Sequence, residues 1–163
     1  MIYLDTSAAI PLFVPEPASD AVDAWFESCD DTLISSDWIL TEFASALSIK
    51  VRRGEIEPKQ AQAAWKDFER FCQSGLRLVP VSRQAFGHAA QLVRNVSSGL
   101  RSGDSLHLSM AIEAGAASIA TADVNLARNA VDGAVHQRIW LRCCGAGVWR
   151  GDARSDRGSC QAD

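Results

Sequence analysis

Short β-branched or apolar runs alternate with longer stretches of helical periodicity along this chain, and that alternation constrains the fold more than any other feature. The runs fall at Ile2 to Leu4, Thr32 to Ser35, Leu76 to Val81, Ser118 to Thr121 and Ala134 to Ile139. Between them the apolar spacing predicts helices at Ser7 to Phe13, Ala18 to Cys29, Trp38 to Arg53, Pro58 to Gln73, Arg83 to Val96, Gly103 to Ala114 and Val124 to Ala130. Pro15 and Pro17 separate the first two helices, Gly54 follows the basic pair Arg52-Arg53, and Pro58 suits a first helical turn. A strand, a helix and a second strand close most readily as a parallel pair with the helix crossing one face. The expectation is an α/β chain with a mostly parallel sheet of about five strands wrapped by helices.

A chain of 163 residues is about one domain long, enough for a single core burying roughly 70% of the unfolded surface. The balance of 47% hydrophobic and 22% charged residues is that of a globular protein. No apolar run reaches membrane-span length, and Met1-Ile2-Tyr3-Leu4-Asp5 lacks the layout of a signal peptide, so a cytoplasmic location is expected. Cys29, Cys72, Cys143, Cys144 and Cys160 are odd in number and show neither CxxC spacing nor a companion His pattern, and they read as reduced thiols. A formal net charge of −4 argues against broad electrostatic capture of nucleic acid, so any such contact must be local or mediated by bound cations. Periodicity ends near Ile139. Residues 1–139 form the expected domain, and 140–163 read as an irregular, disordered tail whose arginines suit a solvated end better than an RNA-contacting arm.

Carboxylates at the expected strand exits and helix starts carry the chemistry. Asp5 follows the first apolar run and precedes Thr6-Ser7, which places it at the carboxyl end of a strand, where open α/β sheets bind ligands. Asp123 repeats the arrangement after Thr121-Ala122. Either residue suits a helix N-cap equally well. Asp104 shares a helical stripe with Leu108, Ala111 and Ile112, an unusual place for an unpaired acid, although Gly103 before it also permits a cap. Glu42 lies in the first turns of its helix on the face of Ala46 and Ile49, where dipole complementarity alone favours an acid. Carboxylates sharing one cleft repel by about 4 kcal/mol per pair at 4 Å and an effective dielectric of 20. A bound cation relieves this, and all-oxygen donors suit Mg²⁺ or Mn²⁺. Thr6, Ser7, Ser105 and Thr121 are candidate supporting or substrate contacts, each also a natural cap or turn residue. His107, three residues after Asp104 among apolar neighbours, reads as a structural or surface His before a general base; His88 and His136 give less reason for a role. Trp25, Trp38 and Trp65 read as core or interface, and the face of Trp65, Phe68 and Phe71 is a candidate partner surface.

Four segments together resemble the PIN domain, and within it the VapC-like toxins. They are Ile2-Tyr3-Leu4-Asp5-Thr6-Ser7, Ser36-Asp37-Trp38-Ile39-Leu40-Thr41-Glu42, Leu100-Arg101-Ser102-Gly103-Asp104-Ser105-Leu106-His107-Leu108 and Thr121-Ala122-Asp123. The resemblance covers about residues 1–139 and is carried by four motifs in the family's order. It implies a three-layer α/β/α fold and a Mg²⁺- or Mn²⁺-dependent endoribonuclease site for single-stranded or structured RNA, with Asp5, Glu42, Asp104 and Asp123 as the acidic quartet. It also implies a homodimer neutralised by a cognate antitoxin protein whose C-terminal segment covers the cleft, and makes Arg101 a candidate phosphate contact. The segment after the last expected strand departs from the family, whose members stop sooner.

Two other classes compete. A haloacid-dehalogenase-like phosphatase needs a second Asp two positions after the first, and Ser7 stands there. A catalytically degenerate α/β module that only binds a protein partner is the alternative; the absence of a Gly-rich turn after Leu4 rules out a dinucleotide or P-loop site.

Overall fold

Ile2, Tyr3 and Leu4 form strand β1 (Ile2–Leu4) and alternate in direction, sending Ile2 and Leu4 to one face of a sheet and Tyr3 to the other. The computed structural model describes residues 1–132. Strand β2 (Leu33–Ser36) pairs with one side of β1 and β4 (Ser118–Ala120) with the other, while β3 (Arg77–Val79) lies beyond β2. All three pairings are parallel, with Tyr3 opposite both Ile34 and Ile119. The described sheet therefore has four strands in the order β3-β2-β1-β4. The fifth expected strand, at 134–139, and the expected tail lie outside the described residues.

Helices cover both faces. Against Ile2, Leu4 and Leu33 pack α1 (Thr6–Ala9), α2 (Ser19–Glu27), α3 (Trp38–Arg52) and α4 (Pro58–Ser74). Against Tyr3, Ile34 and Ile119 pack α5 (Arg83–Arg94), α6 (Ser102–Glu113) and α7 (Val124–Asp132). The result is the expected three-layer α/β/α arrangement. Helix α6 is buried nearly all round, from Ser105 to Ala111, as a helix between a sheet and an outer helix must be.

Local chemistry explains where elements stop short of expectation. The first helix gives way at Ala9 to a 3₁₀ turn, Ile10–Leu12, because Pro11 has no N–H to continue the α ladder. Pro80 likewise ends β3 at Val79, whose carbonyl accepts from Asp37 N–H instead. Helix α5 ends at Arg94 because Asn95 turns its side chain onto Ser97 N–H, and Gly99 then adopts a left-handed φ of 65°.

The aromatic face of α4 packs on its own chain through Phe68 and leaves Trp65 and Phe71 half-buried. Phe68 is fully buried and stacks on Phe43 at a centroid distance of 3.9 Å, and half-buried Trp65 and Phe71 close around them with Phe13. Exposed Phe26 packs edge-on against Phe71, while exposed Phe86 and Val93 of α5 line a groove of about 280 Å³ with Trp38 and Leu106.

Candidate active site

Every chain segment leaving the carboxyl edge of the central strands bears an acid or its support. Asp5 is the residue after β1, and its main chain starts α1: the Asp5 carbonyl accepts from Ala8 and Ala9 N–H. Its side chain makes no cap contact. Instead Asp5 Oδ2 accepts from Thr121 Oγ1 at 2.7 Å and from Ser7 Oγ, which ties the exit of β1 to the exit of β4. Ser7 Oγ also receives Ala122 N–H at 2.8 Å, and Thr121 Oγ1 receives Asp123 N–H at 3.0 Å. Thr6, Ser7 and Thr121 thus act as fixed props between the acids.

Asp123 combines two of the expected readings. Its Oδ1 caps α7, accepting from Asn125 and Leu126 N–H at 2.8 Å each. Asp104, in the first turn of α6, accepts the N–H of Arg101 at 3.0 Å. Burial pushes its carboxyl above the ordinary value; the Arg101 contact opposes that, and the charges of Asp123, Asp5 and Glu42 push it further up. Asp5, Glu42 and Asp123 thus all bear on the charge of Asp104. Arg101 is exposed, and Ser105 is buried with its hydroxyl on the Ser102 carbonyl.

Glu42, half-buried on α3, accepts from Thr6 Oγ1 and from His107 Nε2, both at 2.7 Å. Burial pushes its carboxyl up, but the hydrogen bond and charge of His107, then Thr6, outweigh this and leave it below its ordinary value. The Trp38 indole contributes in the same direction, although its N–H has no acceptor in good hydrogen-bond geometry.

His107 is the residue sequence reasoning placed wrongly. It is fully buried, which removes the surface reading, and it stands among the acids, which goes beyond a structural one. Its Nε2 lies 3.3 Å from Asp5 Oδ1 and 3.1 Å from Thr6 Oγ1, and its Nδ1 lies 2.9 Å from the Tyr3 hydroxyl. Burial pulls the imidazole down, but Tyr3, Asp5 and Glu42 raise it to about 10. A phenol carries charge only near pH 10, so at neutral pH the two carboxylates hold the proton. The available signal was the spacing from Asp104, which puts His107 on the same helical face. His88, by contrast, pairs through Nδ1 with Ser109 Oγ at 3.2 Å.

Oxygen and nitrogen donors of Asp5, Glu42 and His107 all fall within 4.8 Å of one another, close enough to hold a metal ion. Gly103 sits directly against this group: a Cβ there would overlap Glu42 Oε1. Tyr3, Ser36 and Gly103 are further site-building residues that the sequence did not single out.

Comparison with known proteins follows the same lines. The structure is similar to VapC20 of Mycobacterium tuberculosis, a sarcin–ricin loop-cleaving toxin, with a TM-score of 0.65 at 15% identity over 79% of this chain and 95% of that one. It is similar to VapBC2 from Rickettsia felis bound to a promoter DNA fragment, at 0.59 and 19% identity over 86% and 99% of the two chains. FitAcB from Neisseria gonorrhoeae gives 0.56 and 15% identity over 77% and 90%. No curated protein matches by sequence. The PIN domain family profile matches residues 2–132, nearly the whole described chain. The chain belongs to the PIN domain family.

Proposed function

We propose that this protein is a metal-dependent endoribonuclease and the toxin of a toxin–antitoxin pair, with Asp5, Glu42, Asp104 and Asp123 as its catalytic acids. The observation that carries the reading is the gathering of Asp5 and Glu42 donors, with His107, within 4.8 Å of one another, the Thr121 bond to Asp5 tying the segment that bears Asp123 to the same group. One imidazolium, His107, cannot neutralise four carboxylates. The surplus negative charge, the donors within 4.8 Å and the hard oxygen ligands fit Mg²⁺ or Mn²⁺. Asp5, Glu42, Asp104 and Asp123 would hold the ion.

A divalent ion there supplies positive charge that polarises a phosphodiester and activates water for its hydrolysis. The chain's own residues supply the frame. Thr121 and Ser7 fix one oxygen of Asp5, Thr6 fixes Glu42, and the N-terminal turns of α6 and α7 hold Asp104 and Asp123. Arg101, exposed and joined through its N–H to Asp104, would meet a substrate phosphate. Similarity to the cleaving toxin VapC20 supports RNA as substrate, and similarity to VapBC2 and FitAcB supports a cognate antitoxin. A homodimer belongs to the same reading. No described helix is long and apolar enough to cross a membrane.

The test is cleavage of total cellular RNA by the purified protein with Mn²⁺ or Mg²⁺, with EDTA and the variants Asp5→Asn and Asp104→Asn as controls. Discrete metal-dependent cuts, lost by at least 100-fold in either variant, are expected; for scale, a single transition-state contact removed elsewhere costs ~10²–10³. Full metal-dependent cutting by both folded variants would remove the site assignment, and no cutting by the wild type would remove the nuclease reading.

A further inference from the structure

We propose that His107 is the positioning residue of this site, its Nε2–H hydrogen-bonding Glu42 while standing in charge contact with Asp5, so that the two carboxylates are held side by side as one ligand set. The inference rests on the metal-dependent reading above and assigns to His107 a role that the four acids alone do not supply.

The direction of the hydrogen bonds follows from chemistry. Nε2 faces three atoms: Glu42 Oε2 at 2.7 Å, Thr6 Oγ1 at 3.1 Å and Asp5 Oδ1 at 3.3 Å. Ionised carboxylates only accept, and Thr6 has committed its proton to Glu42 Oε2. Nε2 must therefore carry the hydrogen, whether the ring is neutral or charged. Behind it Nδ1 rests on the Tyr3 hydroxyl, which in turn meets Ser36 Oγ at 2.9 Å and Ser36 N–H at 3.3 Å. A continuous polar chain thus runs from β2 through β1 and the α6 histidine to an acid after β1 and an acid on α3. Every member except Glu42 is buried, with Asp5 and His107 side chains 5% and 1% exposed. Such a pillar fixes the ring against rotation, and a fixed ring fixes the two carboxylates it touches. Two like charges would otherwise swing apart toward solvent, Glu42 most easily, since its side chain is long and 26% exposed.

The alternative use of Nε2 is as a direct ligand, and it requires loss of that hydrogen. The two uses differ in a spectroscopic signature: a directly bound imidazole couples its ¹⁴N nucleus to the electron spin of Mn²⁺, whereas a clamp one bond removed does not.

The experiment uses the full chain and Mn²⁺ as probe, with wild type, His107→Leu, His107→Gln and Tyr3→Phe. Mn²⁺ affinity is read by calorimetric titration, the coordination by electron spin-echo modulation, and folding by circular dichroism. Removing an orienting partner typically costs about 10–100-fold in metal affinity. His107→Leu is expected to fall in that range, with RNA turnover falling and KM for RNA unchanged. His107→Gln, which keeps a donor near the Nε2 position, is expected to regain most of the loss. Tyr3→Phe removes only the pillar behind the ring and should weaken Mn²⁺ by roughly tenfold, so it carries the test if His107→Leu does not fold. Wild-type affinity in the folded leucine variant, or in Tyr3→Phe when leucine does not fold, would overturn the clamp and leave the nuclease reading standing. Nitrogen coupling in the wild type would also overturn it, by making His107 a ligand. A wild type that neither takes up Mn²⁺ nor cuts RNA would overturn both.

Discussion

Gly103 is the residue on which the site's compactness can be tested most directly. It is the second residue of α6, and the space its missing Cβ would fill is occupied by Glu42 Oε1. Placing alanine in a helix in place of glycine stabilises by roughly 0.5–1 kcal/mol. At this position the methyl must push the Glu42 carboxylate away from Thr6 and His107, and a hydrogen bond to a charged group contributes about 1.5–3 kcal/mol. The loss outweighs the gain. Gly103→Ala is therefore expected to destabilise by about 1 kcal/mol by these two magnitudes, and to stabilise when Glu42 is already alanine. Urea unfolding of the two single variants and the double variant measures this. The same sign in both backgrounds would show that Gly103 and Glu42 do not compete for space. At this scale the sequence was informative about which atoms could matter and silent about which job each does. Asp123 caps α7 and bears on the charge of Asp104, while Asp5 occupies a cap position and leaves its side chain free of capping. His107 could not be placed, because its depth along α6 and its distance from Glu42, 65 residues earlier, are set by tertiary packing.

At the scale of elements, the periodic pattern located every described helix and strand, and the discrepancies are chemical. Pro11, Pro80 and Asn95 each withdraw or redirect a hydrogen-bonding group, and an element ends there. Which face of α4 is buried was harder to read, because a stripe of aromatics looks the same whether it meets its own chain or another. The stacked pair Phe43 and Phe68, ringed by Phe13, Trp65 and Phe71, answers that for the folded chain. Phe68 has no exposed surface, so Phe68→Ala leaves a cavity and is expected to cost about 3–5 kcal/mol. The same truncation at Phe86, half-exposed on α5, should cost under about 1 kcal/mol. Denaturant titration of both variants checks the contrast. A Phe68→Ala cost as small as that at Phe86 would mean that α4 is not anchored as described.

For the whole molecule, a buried charge cluster beside the sheet makes stability depend on pH, and the dependence can be signed. In the metal-free protein His107 is raised above its ordinary 6.5, to about 10. Its contribution is therefore complete below the unfolded value and is lost as pH rises through the folded one. Glu42 is lowered, so its contribution is present above about 4.5 and is lost only as pH falls into the acid range. Asp104 is raised, which costs stability once it ionises. In EDTA, stability is thus expected to fall steadily from about pH 6.5 toward pH 10, the window of the His107 shift. A His107→Leu variant that folds should lack most of that slope. Mn²⁺ or Mg²⁺ acts in the opposite sense. An ion that binds only the folded chain stabilises by about 2.7 kcal/mol at a hundred times its dissociation constant, and it binds better as His107 loses the proton whose charge competes for Asp5 and Glu42. Saturating ion should therefore lift the alkaline side most and flatten the profile. Urea midpoints measured from pH 6 to 10, with EDTA and with Mg²⁺, test the whole arrangement at once. A flat profile in EDTA would mean that His107 holds no extra proton against Asp5 and Glu42, and a Mg²⁺ effect that does not grow with pH would mean that the ion does not compete with the His107 charge for those two acids.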